Sequence, residues 1–176
     1  MRRTRAGFTM VEVLVAVLLL AVGLVGALAM QAHAMRARQE SALQTEALQA
    51  AATLADRIRA NAGQSSSYLG FEFDATDAQD AAAPASACSD APCDAVALAQ
   101  RELEEFRLQL AANLPSGRAT VCRDDGASVG GALQWACSQS VDAPITIKIG
   151  WRGADAAPQL ALRVALGPPS LSEGAP

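Results

Sequence analysis

Hydrophobic and polar residues follow three successive patterns along this chain. From Val13 to Met30 there is no charged side chain and no strong side-chain hydrogen-bonding group. Nothing in that run opposes burial in hydrocarbon, and its length approaches the roughly 20 residues that cross a bilayer as a helix. Beyond Met30 the chain turns polar, yet Leu43, Ala47, Ala50, Leu54 and Ile58 recur at spacings of three and four, the stripe of an amphipathic helix. No proline precedes Pro84, and the first strong stop is Asn61-Ala62-Gly63 with the serines that follow. The pattern predicts one long helix over 8–61, apolar over 8–30 and amphipathic over 31–61.

The second pattern is irregular. Residues 62–94 are read as a loop, because Asp74 to Pro92 is acidic, rich in Ala and broken by proline, with little to bury. A second helix is predicted over 95–113, with Asp94 as its cap and Leu103, Phe106 and Leu110 on one face. Leu114-Pro115-Ser116-Gly117 ends it.

From Arg118 the period becomes two. Ile145, Ile147, Ile149 and Trp151 alternate with Thr146, Lys148, Gly150 and Arg152, and Leu160, Leu162, Val164 and Leu166 alternate again after a turn. With the runs around Val121 and Trp135 this predicts three to four antiparallel strands. Residues 95–166 thus form a helix-and-sheet head, α+β in class, and 167–176 is a tail with nothing to pack, predicted to fray.

The chain has 176 residues, 51% of them hydrophobic, enough for one domain with an appendage. Its formal charge of −4 hides an asymmetry: Arg2, Arg3 and Arg5 precede the apolar run and no acid precedes Glu12. Positive charge on the short side holds that side in the cytoplasm and sends the bulk across the membrane. Without these arginines the remainder is still more acidic, which argues against a general nucleic-acid footprint. The local pairs Arg36 with Arg38 and Arg57 with Arg59 read as solvated helix faces.

Cys88, Cys93, Cys122 and Cys137 all follow the apolar run, and their even number suits an oxidising compartment. Of the three possible connectivities, Cys88–Cys93 with Cys122–Cys137 needs the least rearrangement. Closing the second loop, around "DDGASVGGA", is worth about 3 kcal/mol on chain-entropy grounds. The alternative, a four-cysteine zinc site, lacks the short knuckle spacing. No metal triad, phosphate loop or cofactor motif is present. His33, the single histidine, has no nucleophile motif near it in sequence. Glu102, Glu104 and Glu105 read as a solvated helix face rather than paired catalytic carboxylates. No catalytic residue and no cofactor are assigned, and an enzyme is not expected.

Three readings compete for the N-terminus. A secretory signal would end near Ala27-Leu28-Ala29 or Ala32-His33-Ala34, but the apolar run exceeds the roughly 7–15 residues of a signal core. A plain signal anchor explains the length and leaves Glu12 an accident. The third takes Arg5-Ala6-Gly7-Phe8-Thr9-Met10-Val11-Glu12 as a unit. A short basic leader ending in glycine, then phenylalanine, then a glutamate four residues on, then an apolar helix, resembles the class III signal of type IV pilins and pseudopilins.

The resemblance implies that residues 1–7 are a leader cut between Gly7 and Phe8 by the prepilin peptidase, that Phe8 is then N-methylated, and that Glu12 pairs with the N-terminal amine of a neighbouring subunit in a filament. It also implies a pilin-like fold, a long helix packed on a small antiparallel sheet. "EVLVAVLLLAVGLVGALAMQ", "LADRIRAN", "LQLAANLPSG" followed by "VCRD", and "ITIKIGW" are similar to the corresponding parts of the minor-pilin family of the type IV pilus modification protein PilV. Two departures stand out. Phe106 occupies a place where that family often carries tryptophan, and the stretch from Asp74 to Ala87 has no counterpart.

That similarity implies a structural subunit that primes assembly and sits at the filament tip in support of motility or adhesion. The implied partners are other minor pilins, the major pilin and the inner-membrane assembly platform, with the prepilin peptidase as processing enzyme. The chain would reside in the bacterial inner membrane with its head in the periplasm before joining the filament. Nucleic acid is not an expected partner, a tip contact aside. The nearest alternative is a minor pseudopilin of a type II secretion system, and a membrane-anchored periplasmic enzyme or binding protein is the alternative of a different class.

Overall fold

A computed structural model describes residues 9–77, 93–126, 128–152 and 156–166. The leader, Phe8 and the tail 167–176 lie outside the described residues. The chain divides into two compact units, Met1–Ala42 and Leu43–Pro176, and helix α1, Met10–Ala60, contains the boundary between them.

Within the second unit the C-terminal part of α1 presents the predicted stripe. Ala47, Ala50, Ala51, Leu54, Ala55 and Ile58 are buried, and Leu43 packs at the edge. Four alanines among these six positions let the helix backbone lie close to the layer below, while Leu54 and Ile58 supply apolar volume. Helix α2, Ala95–Asn113, begins where the Asp94 carboxylate accepts from the Ala97 N–H at 2.7 Å, satisfying a first-turn donor. It buries Ala99, Phe106 and Leu110, with the Phe106 ring 5.7 Å from that of Phe71.

The irregular stretch expected over 62–94 is not irregular throughout. Ala62–Tyr68 is a 3-10 helix and Phe71–Asp74 is strand β1. The alternation Phe71-Glu72-Phe73-Asp74 carries the strand period, but over too few residues to stand out beside the Ala- and Asp-rich segment that follows. Residues 78–92 lie outside the described residues.

The remaining strands are β2, Arg118–Arg123; β3, Ser128–Val129; β4, Ala132–Leu133; β5, Ile145–Gly150; and β6, Leu160–Val164. β1, β2, β5 and β6 form an antiparallel sheet in the order β1-β2-β5-β6, and β3 with β4 makes a small separate ribbon. Of the run around Trp135, expected as a strand, only Ala132–Leu133 is one, the two-residue β4, and Trp135 itself lies at a bend beyond it. Its indole N–H donates to the Ala156 carbonyl at 2.6 Å instead.

Register sorts the sheet into two faces. Val121 opposes Ile147 and Ala119 opposes Ile149, while Ile145 opposes Val164. These residues, with Phe73, Tyr68 and the buried residues of α1 and α2, form one core. The other face carries Thr120 opposite Lys148, Cys122 opposite Thr146, and Arg118 opposite Gly150. Polar residues at period two normally mark a solvated face, yet every residue of β5 is buried.

The connection from β2 to β5, residues 124–144, covers that second face. Cys122 and Cys137 are joined by a disulfide, and Trp135 lies against Gly150, where an added Cβ would come within 3.0 Å of the indole. The Arg118 guanidinium stands 4.5 Å from the centre of the Trp135 ring, at cation–π distance. Arg163 donates to the Asp125 carbonyl at 2.7 Å and Arg123 to the Ala143 carbonyl at 2.9 Å.

Under this cover lies an ion pair. Lys148 Nζ is 2.8 Å from Asp124 Oδ2, with side-chain exposures of 0% and 3%. Burial pushes the Asp124 carboxyl up, but the Lys148 ammonium and the backbone N–H of Ser138 outweigh it and hold the group below the usual carboxylate range. A depressed carboxyl contributes stability that is fully present above its unfolded value, 3.8, and is lost as pH falls through the lower folded value. Asp124→Asn leaves a buried ammonium without counter-charge and is expected to cost about 3–5 kcal/mol. Urea unfolding of the full chain in detergent should show this loss at neutral pH and a shallower decline below pH 3.8 than the native chain shows; equal stability of the two chains at neutral pH would contradict the assignment.

Candidate functional site

Unit 1 is the part of α1 whose chemistry is least explained by the unit itself. The helix starts at Met10 because Thr9 caps it: the Glu12 N–H donates to the Thr9 carbonyl at 3.1 Å and lies 3.3 Å from Thr9 Oγ1, and the Val13 N–H donates to the same carbonyl at 3.3 Å. A hydroxyl at this position satisfies a donor that the first turn leaves open. Glu12 therefore falls in the first turn, where the partial positive charge of the helix start favours an anion.

Around and beyond Glu12 the surface is apolar and open. Large apolar side chains from Met10 to Met35 are 48–82% exposed, and α1 is long and apolar enough to cross a membrane, with none of its most apolar window buried. Gly23 and Gly26 meet nothing within 4 Å where a Cβ would stand. Glycine costs a helix interior about 1 kcal/mol relative to alanine, and packing within the unit does not require it at either position.

The decisive feature is charge. After Glu12 the next arginine or lysine along α1 is Arg36, many turns further on, and the single His33 is exposed. An ionised carboxylate in apolar surroundings requires a counter-charge and hydrogen-bond donors. α1 supplies no such cation near Glu12. Gly7 and Phe8, the predicted cleavage and methylation positions, lie outside the described residues.

The other sequence-predicted residues sit in unit 2 and serve its architecture. The Glu102–Glu105 cluster is not simply a solvated face, because each acid has a partner. The Tyr68 hydroxyl donates to Glu102; Glu104 accepts from Arg107 at 2.6 and 2.8 Å; and Glu105 accepts from Arg57 at 2.6 Å and Arg101 at 3.2 Å. The Arg57 hydrogen bond is the main reason the Glu105 carboxyl lies below its ordinary value. Arg59 reaches Asp56 at 2.5 Å and the Ala165 carbonyl at 3.1 Å, while Arg36 and Arg38 are exposed on α1.

Cys93 is disulfide-bonded, and its expected partner Cys88 lies outside the described residues. Among the described residues no group of three or more His, Cys, Asp or Glu side chains is arranged to hold a metal. The crevice lined by Ala50, Leu54, Arg57, Glu102, Glu105 and Phe106 measures about 20 Å³, room for a water and not for a substrate. Sequence reading missed the Asp124–Lys148 pair. Lys148 stood at a position expected to alternate outward, and only the Gly-rich connection between the paired cysteines hinted at a chain segment laid back over the sheet.

Residues 2–28 match the family model for the prokaryotic N-terminal methylation motif, and residues 29–104 match the Tt1218-like model, described as type IV pilin Tt1218. No curated protein and no solved structure matches the chain.

Tyr68 offers a direct check on the polar cluster, because it is the chain's single tyrosine. Burial, reinforced by the hydrogen bond to Glu102, pushes its hydroxyl up to about 12 from 10.0. Phenolate absorbance should titrate with a midpoint near 12 in the native chain and lower in Glu102→Gln; a native midpoint at 10.0 would contradict the buried contact.

Proposed function

The chain is a type IV pilin-like protein, and on that premise we propose that it is a minor pilin of a type IV pilus, a PilV-like subunit that helps prime assembly and sits at the filament tip. One observation carries the reading: a carboxylate in the first turn of an exposed apolar helix that offers no nearby cation. Cleavage between Gly7 and Phe8 creates an amine one helical turn before Glu12. An amine one turn before Glu12 stands at the spacing of ordinary helical ion pairs, but only a neighbour's amine brings with it a second helix that covers the exposed apolar surface around Glu12. In a bundle of such helices, staggered by about a turn, the amine of one chain meets the glutamate of the next.

The physics then orders the steps. In the inner membrane, with the head in the periplasm, Glu12 has poor compensation, and assembly supplies it. Apolar side chains that faced lipid face other helices, so the transfer changes little in hydrophobic energy and leaves the ion pair and close packing to decide register. Gly23 and Gly26, unneeded inside the unit, permit close approach by a neighbour. The proposed partners are other minor pilins, the major pilin and the assembly platform, with the prepilin peptidase acting on the leader.

The PilV-like assignment rests on "LADRIRAN" and the strand segments. Leu54, Ala55 and Ile58 are core residues, Arg57 holds Glu105, and Asn61 donates to the Ala95 carbonyl at 2.8 Å. That motif builds the head. The match of residues 29–104 to a pilin model favours a pilus over a secretion pseudopilus.

Glu12→Ala should be processed and inserted normally but enter filaments at least about tenfold less efficiently, since an unpaired buried amine costs more than the roughly 1.4 kcal/mol that a factor of ten represents. Normal incorporation of the variant would sink the role given to Glu12. N-terminal sequencing of the mature chain should begin at a methylated Phe8, whereas a start at Met30 or Met35 would restore a secretory signal.

A further inference from the structure

Lys148 does more than pair with Asp124. Its ammonium donates to the Gln134 carbonyl at 2.8 Å and the Ala136 carbonyl at 2.7 Å, stands 3.5 Å from the Trp135 carbonyl, and lies 2.8 Å from Asp124 Oδ2. A carboxylate oxygen and neighbouring backbone carbonyls thus converge on one positive charge that is completely buried. The second Asp124 oxygen is engaged elsewhere, by the N–H groups of Ser138 at 3.2 Å and Gly126 at 3.4 Å. The loop's own N–H groups thus help to place the Asp124 carboxylate independently of the lysine.

This is the ligand set of a cation site. Its separations of 2.7–2.8 Å exceed the about 2.3–2.6 Å that calcium requires and the about 2.0–2.1 Å of magnesium. Carbonyl oxygens at ammonium-like separation are instead the groups that replace the hydration shell of potassium. The charge agrees: the cage contains one carboxylate, which one monovalent ion neutralises. An open cleft of about 500 Å³, lined by Asp124, Gly126, Gln134, Ala136, Cys137 and Ser138, shares the Asp124, Gln134 and Ala136 residues of the cage.

We propose that the β2–β5 connection forms a monovalent-cation site of ammonium or potassium size, that Lys148 fills it as a tethered resident ion, and that loop order in the native head is therefore independent of dissolved cations. Shortening the side chain vacates the position and leaves the oxygens in place.

The test uses the full chain in detergent, native and as Lys148→Ala, with thermal unfolding followed at equal ionic strength in potassium chloride, ammonium chloride, lithium chloride and tetramethylammonium chloride. Lithium is too small for the cage and tetramethylammonium too large. The native midpoint should be the same in all four salts. The Lys148→Ala midpoint should be lower throughout but about 3–6 °C higher in potassium or ammonium than in the other two. Equal midpoints for the variant in all four salts, or the same potassium effect on the native chain, would overturn the proposal. Should Lys148→Ala fail to fold, Lys148→Ser supplies the same readout with a polar group kept on β5. If neither variant regains cooperative unfolding in potassium chloride, the cage does not accept a free ion and the proposal fails.

Discussion

A single carboxylate at the head of the apolar first half of α1 constrains what this molecule can do. Water does not suit the helix, because the side chains from Met10 to Met35 have no covering within their own unit. Hydrocarbon does not suit Glu12, because an ion there needs a counter-charge. Only an environment that is apolar along the helix and cationic at its first turn satisfies both demands. A bundle of like helices, each contributing an amine near the next one's glutamate, is such an environment. The matches of residues 2–28 to the N-terminal methylation motif and of residues 29–104 to a type IV pilin model agree with the bundle proposed for it.

The head answers a different constraint. A small α+β unit has one good core, and here the α1 stripe, α2 and one face of the sheet make it. The opposite face is closed by the β2–β5 connection, whose regular structure among the described residues is the short β3–β4 ribbon. Cationic side chains from β2, β5 and β6 reach outward to the backbone carbonyls of the connection, and the Cys122–Cys137 disulfide adds a covalent tether. Because backbone carbonyls accept most of these bonds, the connection is held largely irrespective of its side chains.

The long helix, the second helix with its Asp94 cap, and the central strands were legible because each carries a strong period over many residues. The N-terminal methylation motif was legible because a charge in an apolar run demands a reason. Strand β1 was not, since Phe71 to Asp74 is too short for a period of two to rise above its surroundings. Trp135 misled because an aromatic residue between turn signals looks like a strand, whereas its ring is a lid on Gly150. Lys148 was hidden for a more general reason: alternation reports which residues share a face, and cannot report that a distant loop covers it.

The most direct test of the central claim is the location of the chain in cells that make filaments. Mass spectrometry of sheared and purified surface filaments should recover the chain as a minor component when the prepilin peptidase is present, and should find it only in the membrane fraction when the peptidase is deleted. Confinement of the chain to the membrane fraction in both strains, with filaments otherwise normal, would contradict the account.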